Sequence, residues 1–112
     1  MLFKKMTVIG VGLIGGSLAL IAKRKKLVET VVGYGTRRGN LQKAVSMGVI
    51  DRYLLTLPKA VEGADLVVLA TPVGLFERIA QAIAPHLKEG AVVTDVGSVK
   101  GRLVKRLDAI FP

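Results

Sequence analysis

The sequence predicts an α/β domain, a parallel sheet with helices on both faces, and three observations lead there. Short β-branched runs alternate with longer amphipathic segments along all 112 residues. A glycine turn, Gly10-Val11-Gly12-Leu13-Ile14-Gly15, joins the first run to the first amphipathic segment. The chain is 51% hydrophobic but only 4% aromatic, so its apolar content is Val, Leu, Ile and Ala, which suits strands buried on both faces. The length fits one domain, residues 1–112.

Each element has its own signal. Residues 5–10 read as a buried strand, and a helix follows over 13–25. Residues 29–34 (ETVVGY) are a short β-branched second strand. A helix over 37–47 carries Leu41, Ala44 and Val45 on one face and stops at Gly48. Residues 50–54 form a weak third strand, and 57–62 a short helix with Thr56 as cap and Pro58 in its first turn. Asp65-Leu-Val-Val-Leu-Ala70 is the clearest buried strand. A helix over 73–87 buries Phe76, Ile79, Ile83 and Leu87 and turns Glu77, Arg78 and Gln81 to water. Residues 91–96 are a fifth strand, and the last helix, 99–110, buries Val99, Leu103, Val104 and Leu107.

A glycine-rich turn between a first strand and a first helix carries meaning in this β-α-β context. Gly10 permits the tight turn, Gly12 lets the backbone approach a pyrophosphate, and Gly15 lets the helix lie close to the strand. The free amides at the helix start, from Leu13 and Ile14 onward, then hold phosphates. The architecture is therefore a Rossmann-type doubly wound parallel sheet with strand order 3-2-1-4-5 and its ligand beyond the carboxyl ends of strands one and four.

The tip of the second strand bears on which dinucleotide is bound. NAD-binding versions end this strand in Asp or Glu, which bonds the ribose hydroxyls. Here Val31-Val32-Gly33-Tyr34 is followed by Gly35, and then by Thr36, Arg37 and Arg38. A carboxylate repels a 2′-phosphate, whereas a guanidinium grips it through two charge-assisted hydrogen bonds. The expected cofactor is NADP rather than NAD, although the same arginines also fit the first turn of an exposed helix.

Ala70, Thr71, Pro72 and Val73 leave the fourth strand at the crevice, where backbone and the Thr71 hydroxyl can line the pyrophosphate or nicotinamide ribose; Pro72 is equally ordinary helix-start punctuation. Ser98 and Lys100 stand after strand five, near where the nicotinamide should lie, and Ser98 also suits the N-cap of the last helix. His86, beside Pro85, reads as a solvent-facing structural histidine, and Asp95 as a strand-end hydrogen-bonding residue.

Charge and composition exclude several classes. The net charge is +9, from 17 Lys and Arg against 8 Asp and Glu, which favours an anionic partner without choosing it. Lys23, Arg24, Lys25 and Lys26 complement the carbonyl end of the first helix. The absence of cysteine removes disulfides and thiolate metal sites, and one histidine argues against a histidine-based metal centre. The uncharged stretch 6–22 follows Lys4 and Lys5, but four glycines interrupt it and it is short for a membrane span. The expectation is a soluble, cytoplasmic protein with neither membrane nor nucleic-acid partner; no aromatic stacking platform accompanies the lysines.

Taken together, Gly10-x-Gly-Leu-Ile-Gly-Gly-Ser17, the Ala44…Gly48-Val-Ile-Asp51 stretch, Ala64-Asp-Leu-Val-Val-Leu-Ala-Thr-Pro-Val73 and Asp95-Val-Gly-Ser-Val-Lys100 resemble the prephenate/arogenate dehydrogenase family of tyrosine biosynthesis over nearly the whole chain. The resemblance implies oxidative decarboxylation of a cyclohexadienyl ring with hydride passing to NAD or NADP. It implies that Ser98 matches a serine contacting substrate and the catalytic histidine. That histidine belongs to the family's next strand, beyond Pro112, and His86 does not match it. Gly35 departs from the acid that NAD-using members carry.

Two expectations follow: the 112 residues, without the family's helical substrate and dimerisation domain, bind cofactor but turn over little prephenate or arogenate, and an open sheet edge beside strand five invites a homodimer. Two alternatives stay open. One is another Rossmann reductase, of the pyrroline-carboxylate, hydroxyisobutyrate or deazaflavin type, against which Gly97-Ser98-Val99-Lys100 argues. The other is a non-catalytic nucleotide-binding module.

Overall fold

The computed structural model describes residues 2–95. The elements run β1 (Phe3–Ile9), α1 (Leu13–Arg24), β2 (Val28–Tyr34), α2 (Arg38–Ser46), β3 (Arg52–Leu54), α3 (Leu57–Val61), β4 (Leu66–Leu69), α4 (Phe76–Ile83) and β5 (Val92–Asp95). The five strands form one sheet in the order β3-β2-β1-β4-β5. All four pairings are parallel, with Val8 opposite Gly33 on one side and Val68 on the other. This is the Rossmann-type order the sequence predicts.

Alternation along the strands sends successive side chains to opposite faces. Met6 and Val8 of β1, with Leu66 and Val68 of β4, pack beneath Leu18, Ala19 and Ala22 of α1 and Leu41 and Ala44 of α2. Ile9, Val67 and Leu69 face the other way, against Val61 of α3 and Ile79 and Ile83 of α4. Thr7 also faces that second layer and is fully buried, and its hydroxyl donates to the Ala60 carbonyl at 2.6 Å. A polar side chain in the central strand thereby meets its hydrogen-bonding requirement and ties β1 to α3.

Two carboxylates hold the ends of the strands. Asp65, just before β4, accepts the backbone N–H groups of Lys4 (2.8 Å) and Lys5 (2.9 Å) and pairs with the Lys88 ammonium. The Lys88 hydrogen bond, then those from the Lys5 and Lys4 amides, keep its carboxyl below the usual range despite partial desolvation. Asp51, just before β3, accepts the Val31 N–H at 2.7 Å and pairs with Lys23 of α1 at 2.6 Å. Burial alone would raise the Asp51 carboxyl, but the bonds from Lys23 and Val31 outweigh it and leave it lowered.

Several details differ from the sequence expectation. The helix expected over 73–87 is three pieces: a 3₁₀ turn Val73–Leu75, α4, and a second 3₁₀ turn Ala84–His86. Pro85 lacks an N–H and cannot continue the α-helical ladder, and Gly74 weakens the start. β1 begins at Phe3 rather than at residue 5, and α2 begins at Arg38, with Arg37 as its N-cap. Thr56 is the N-cap of α3 but makes no side-chain capping bond. The helix expected over 99–110 lies outside the described residues, as do Ser98 and Lys100. Among the described residues no helix is long and apolar enough to cross a membrane, and no group of three or more His, Asp or Glu could hold a metal ion.

Candidate functional site

The carboxyl ends of β1, β2 and β4 open onto one cleft of about 520 Å³. β1 contributes Gly10, Val11 and Gly12; the β2–α2 connection contributes Tyr34, Gly35, Thr36 and Arg37; β4 and the chain beyond it contribute Ala70, Thr71 and Pro72. The parallel sheet brings these three loops together because each strand ends at the same edge. Gly10 N–H donates to the Tyr34 carbonyl at 2.7 Å, and Ala70 N–H donates to the Ile9 carbonyl at 2.8 Å, which fixes the loops side by side.

The glycine turn explains itself sterically. Gly10 has φ +93°, and a Cβ there would lie 2.8 Å from Thr71 Cγ2 and 3.0 Å from the Ala70 carbonyl group. Both the backbone conformation and the crowding require glycine. At Gly15 a Cβ would meet the Gly10 carbonyl, Val8 and Ala70, so α1 lies close on β1 only because that atom is missing. Gly12 is the opposite case: a Cβ there would meet nothing within 4 Å. Among the described residues no atom fills the space beside it, and it lies on the cleft.

Two helices begin at this cleft with uncompensated amino ends. The first intrahelical bond of α1 runs from Gly16 N–H to the Gly12 carbonyl at 2.8 Å, so the amides of Leu13, Ile14 and Gly15 precede the ladder. Neither α1 nor α2 has an acid in its first turn or a side-chain capping bond. Arg37 caps α2 and Arg38 opens it, cations at the end of a helix that favours anions. Both are exposed, and neither pairs with an acid among the described residues. Thr71 Oγ1 is buried at the cleft and has no hydrogen-bond partner among the described residues. Helix-start amides beside the glycine turn, the Arg37 guanidinium and the buried Thr71 hydroxyl, none of the side chains partnered among the described residues, fit a phosphate-rich ligand at this cleft.

The cleft thus gathers Gly10, Gly12, Gly35, Thr36, Arg37, Ala70, Thr71 and Pro72 from the sequence-predicted set. Gly15 lies behind the turn rather than on the cleft, Arg38 lies beyond its rim, Leu13 and Ile14 open α1, and Val73 opens the first 3₁₀ turn. The proposed catalytic Ser98 falls outside the described residues. The cleft also holds residues the sequence did not assign to it: Tyr34, Asn40, Leu41 and Leu57, then Leu75, the N-cap of α4, and Arg78, Ile79 and Ala82 of α4. Arg78, expected simply to face water, is exposed but on the cleft wall.

Comparison with known proteins gives the same picture. The cyclohexadienyl dehydrogenase of Zymomonas mobilis is 36% identical over 98% of this chain and 38% of its own length. The crystal structure of prephenate dehydrogenase from Aquifex aeolicus in complex with hydroxyphenyl propionate and NAD+ superposes with a TM-score of 0.78 at 35% identity, covering 96% of this chain and 38% of that one. Synechocystis arogenate dehydrogenase superposes at 0.77 with 31% identity over 96% of this chain and 37% of that one. The chain therefore spans under two-fifths of the length of these relatives. Residues 18–112 match the family described as prephenate dehydrogenase, nucleotide-binding domain, and the chain belongs to that family.

Proposed function

We propose that this chain is the NADP-binding domain of a cytoplasmic prephenate or arogenate dehydrogenase of tyrosine biosynthesis. The observation that carries the cofactor choice is the tip of β2: Gly35 stands where an acid would take the ribose hydroxyls, and Arg37 caps α2 on the same cleft. The amides at the start of α1 receive the pyrophosphate, Gly12 gives it room, and the Thr71 hydroxyl supplies a donor on the β4 side. Arg37, with Arg38 beside it, binds the 2′-phosphate. The bound dinucleotide supplies a hydride acceptor; the chain's own residues bind and orient it.

Substrate must be held against the nicotinamide for hydride to move. The 112 residues by themselves are expected to bind cofactor and show little or no prephenate- or arogenate-dependent NADPH formation, and Ser98 is expected to contact substrate when a substrate domain is supplied. Measurable turnover by these residues alone would refute the first expectation.

Calorimetric titration with NADP and NAD tests the cofactor choice. NADP should bind more tightly, and Arg37→Ala should weaken NADP by about 10-fold or more while leaving NAD nearly unchanged. Tighter binding of NAD would overturn it. A second reading, an NAD-binding domain of the same family, is favoured by the NAD+ complex of the Aquifex relative, and the same titration decides between them.

A further inference from the structure

The α4 wall of the cleft has a composition that the phosphate-binding side does not explain. Leu75, Arg78, Ile79 and Ala82 recur at the three- and four-residue spacing of one helical face, and all four line the cleft together with Leu57 of α3. This wall is apolar except for one guanidinium. Arg78 is exposed and pairs with no acid among the described residues, so no ion pair draws it away from the cleft. The same cleft is also lined by Gly35 and by Arg37, the N-cap of α2. If the sugar of the adenosine half lies at the tip of β2, the base beyond it must lie in the remaining, apolar part of the cavity. A flat aromatic base against Leu57, Leu75, Ile79 and Ala82 then has one planar polar group within that same wall.

We infer that Arg78 is an adenine-binding residue, its guanidinium stacking on the base that the apolar wall of α3 and α4 supports. A planar, delocalised cation on a π-face is a favourable contact, and guanidinium is less strongly hydrated than ammonium. The contact is to the base rather than to the 2′-phosphate. It therefore rests on the dinucleotide reading of the cleft but not on the choice between NADP and NAD.

The test is calorimetry on the 112-residue chain with NADP, NAD, 5′-AMP and nicotinamide mononucleotide. Arg78→Ala should weaken NADP, NAD and AMP by the same factor, about 10-fold, and leave the mononucleotide, which has no adenine, unchanged. Arg78→Lys keeps the charge without the plane and should remain weak. Because Arg78 is exposed, both variants should melt like the parent chain, which circular dichroism checks. Loss confined to NADP would mean a phosphate contact and overturn the inference, as would full recovery in Arg78→Lys. Normal binding by the parent chain that Arg78→Ala leaves intact would overturn Arg78 alone. No binding of any dinucleotide by the parent chain would overturn both Arg78 and the proposed function beneath it.

Discussion

Gly15 and Gly10 stand so close that a Cβ on Gly15 would lie 2.6 Å from the Gly10 carbonyl oxygen. The obstacle is backbone, so it cannot swing aside as a flexible side chain would. Gly15→Ala should therefore push α1 off β1 and cost roughly 1–3 kcal/mol of stability, the range for overpacking a core. Thermal unfolding followed by circular dichroism reads this directly, and an unchanged melting temperature would refute it. Gly12→Ala should behave in the opposite sense, since its Cβ meets nothing within 4 Å. Melting should hardly move, while dinucleotide affinity falls about 10-fold or more because the methyl occupies the space beside the phosphates.

At Gly35 the backbone has ordinary geometry, and a Cβ would meet the Leu41 side chain at ordinary contact distances, the nearest atom being Cδ2 at 3.4 Å. An aspartate can thus be introduced without strain. Gly35→Asp should lower affinity for NADP by repulsion of the 2′-phosphate and raise affinity for NAD through the ribose hydroxyls. Paired titrations of parent and variant check both directions. A variant whose preference does not move would show that the adenosine sugar lies elsewhere.

Acid should weaken the Asp65 clamp. Its folded carboxyl is held below the unfolded value, first by Lys88 and then by the Lys5 and Lys4 amides. A depressed carboxylate contributes stability that is fully present above about pH 4 and is gone once the pH has fallen through the lower folded value. The difference in melting temperature between the parent chain and Asp65→Asn should be constant near neutrality and close as the solution is acidified across that window. A gap that persists unchanged into strong acid would contradict the assignment.

β5 is an outer strand of the described sheet, and its Val92 and Val93 are exposed at 46% and 39%. Among the described strands the outer edge of β5 has no neighbour, and an outer strand flanked by exposed apolar side chains favours pairing with another copy. Sedimentation velocity should show the 112-residue chain associating as its concentration rises. A monodisperse monomer at the highest concentrations would count against self-association along this edge.

Much of the architecture was legible because two periodicities alternate without ambiguity. Asp65-Leu-Val-Val-Leu-Ala70 has too few residues for a buried helix and too little polarity for a loop, and β4 is buried along its length. The glycine turn was legible because each glycine answers a distinct steric demand, and the structure gives Gly10, Gly12 and Gly15 three different surroundings. The α4 wall was not. Helical spacing identified Ile79 and Ile83 as buried, but it says nothing about which neighbouring loops the rim of that face meets. Arg78 and Tyr34 join the cleft through packing between elements distant in sequence, a relation no local pattern encodes. The break before Pro85 was visible in principle, since proline forbids the α-helical bond there.

The anchors of the sheet and the cleft share no residue. Asp65 and Asp51 act where β4 and β3 begin, whereas Gly35, Arg37 and Arg78 gather beyond the strands' far ends. Single exchanges at the rim can therefore retune which nucleotide is chosen while the scaffold keeps its melting point, so specificity in this domain can drift without compensating repairs below.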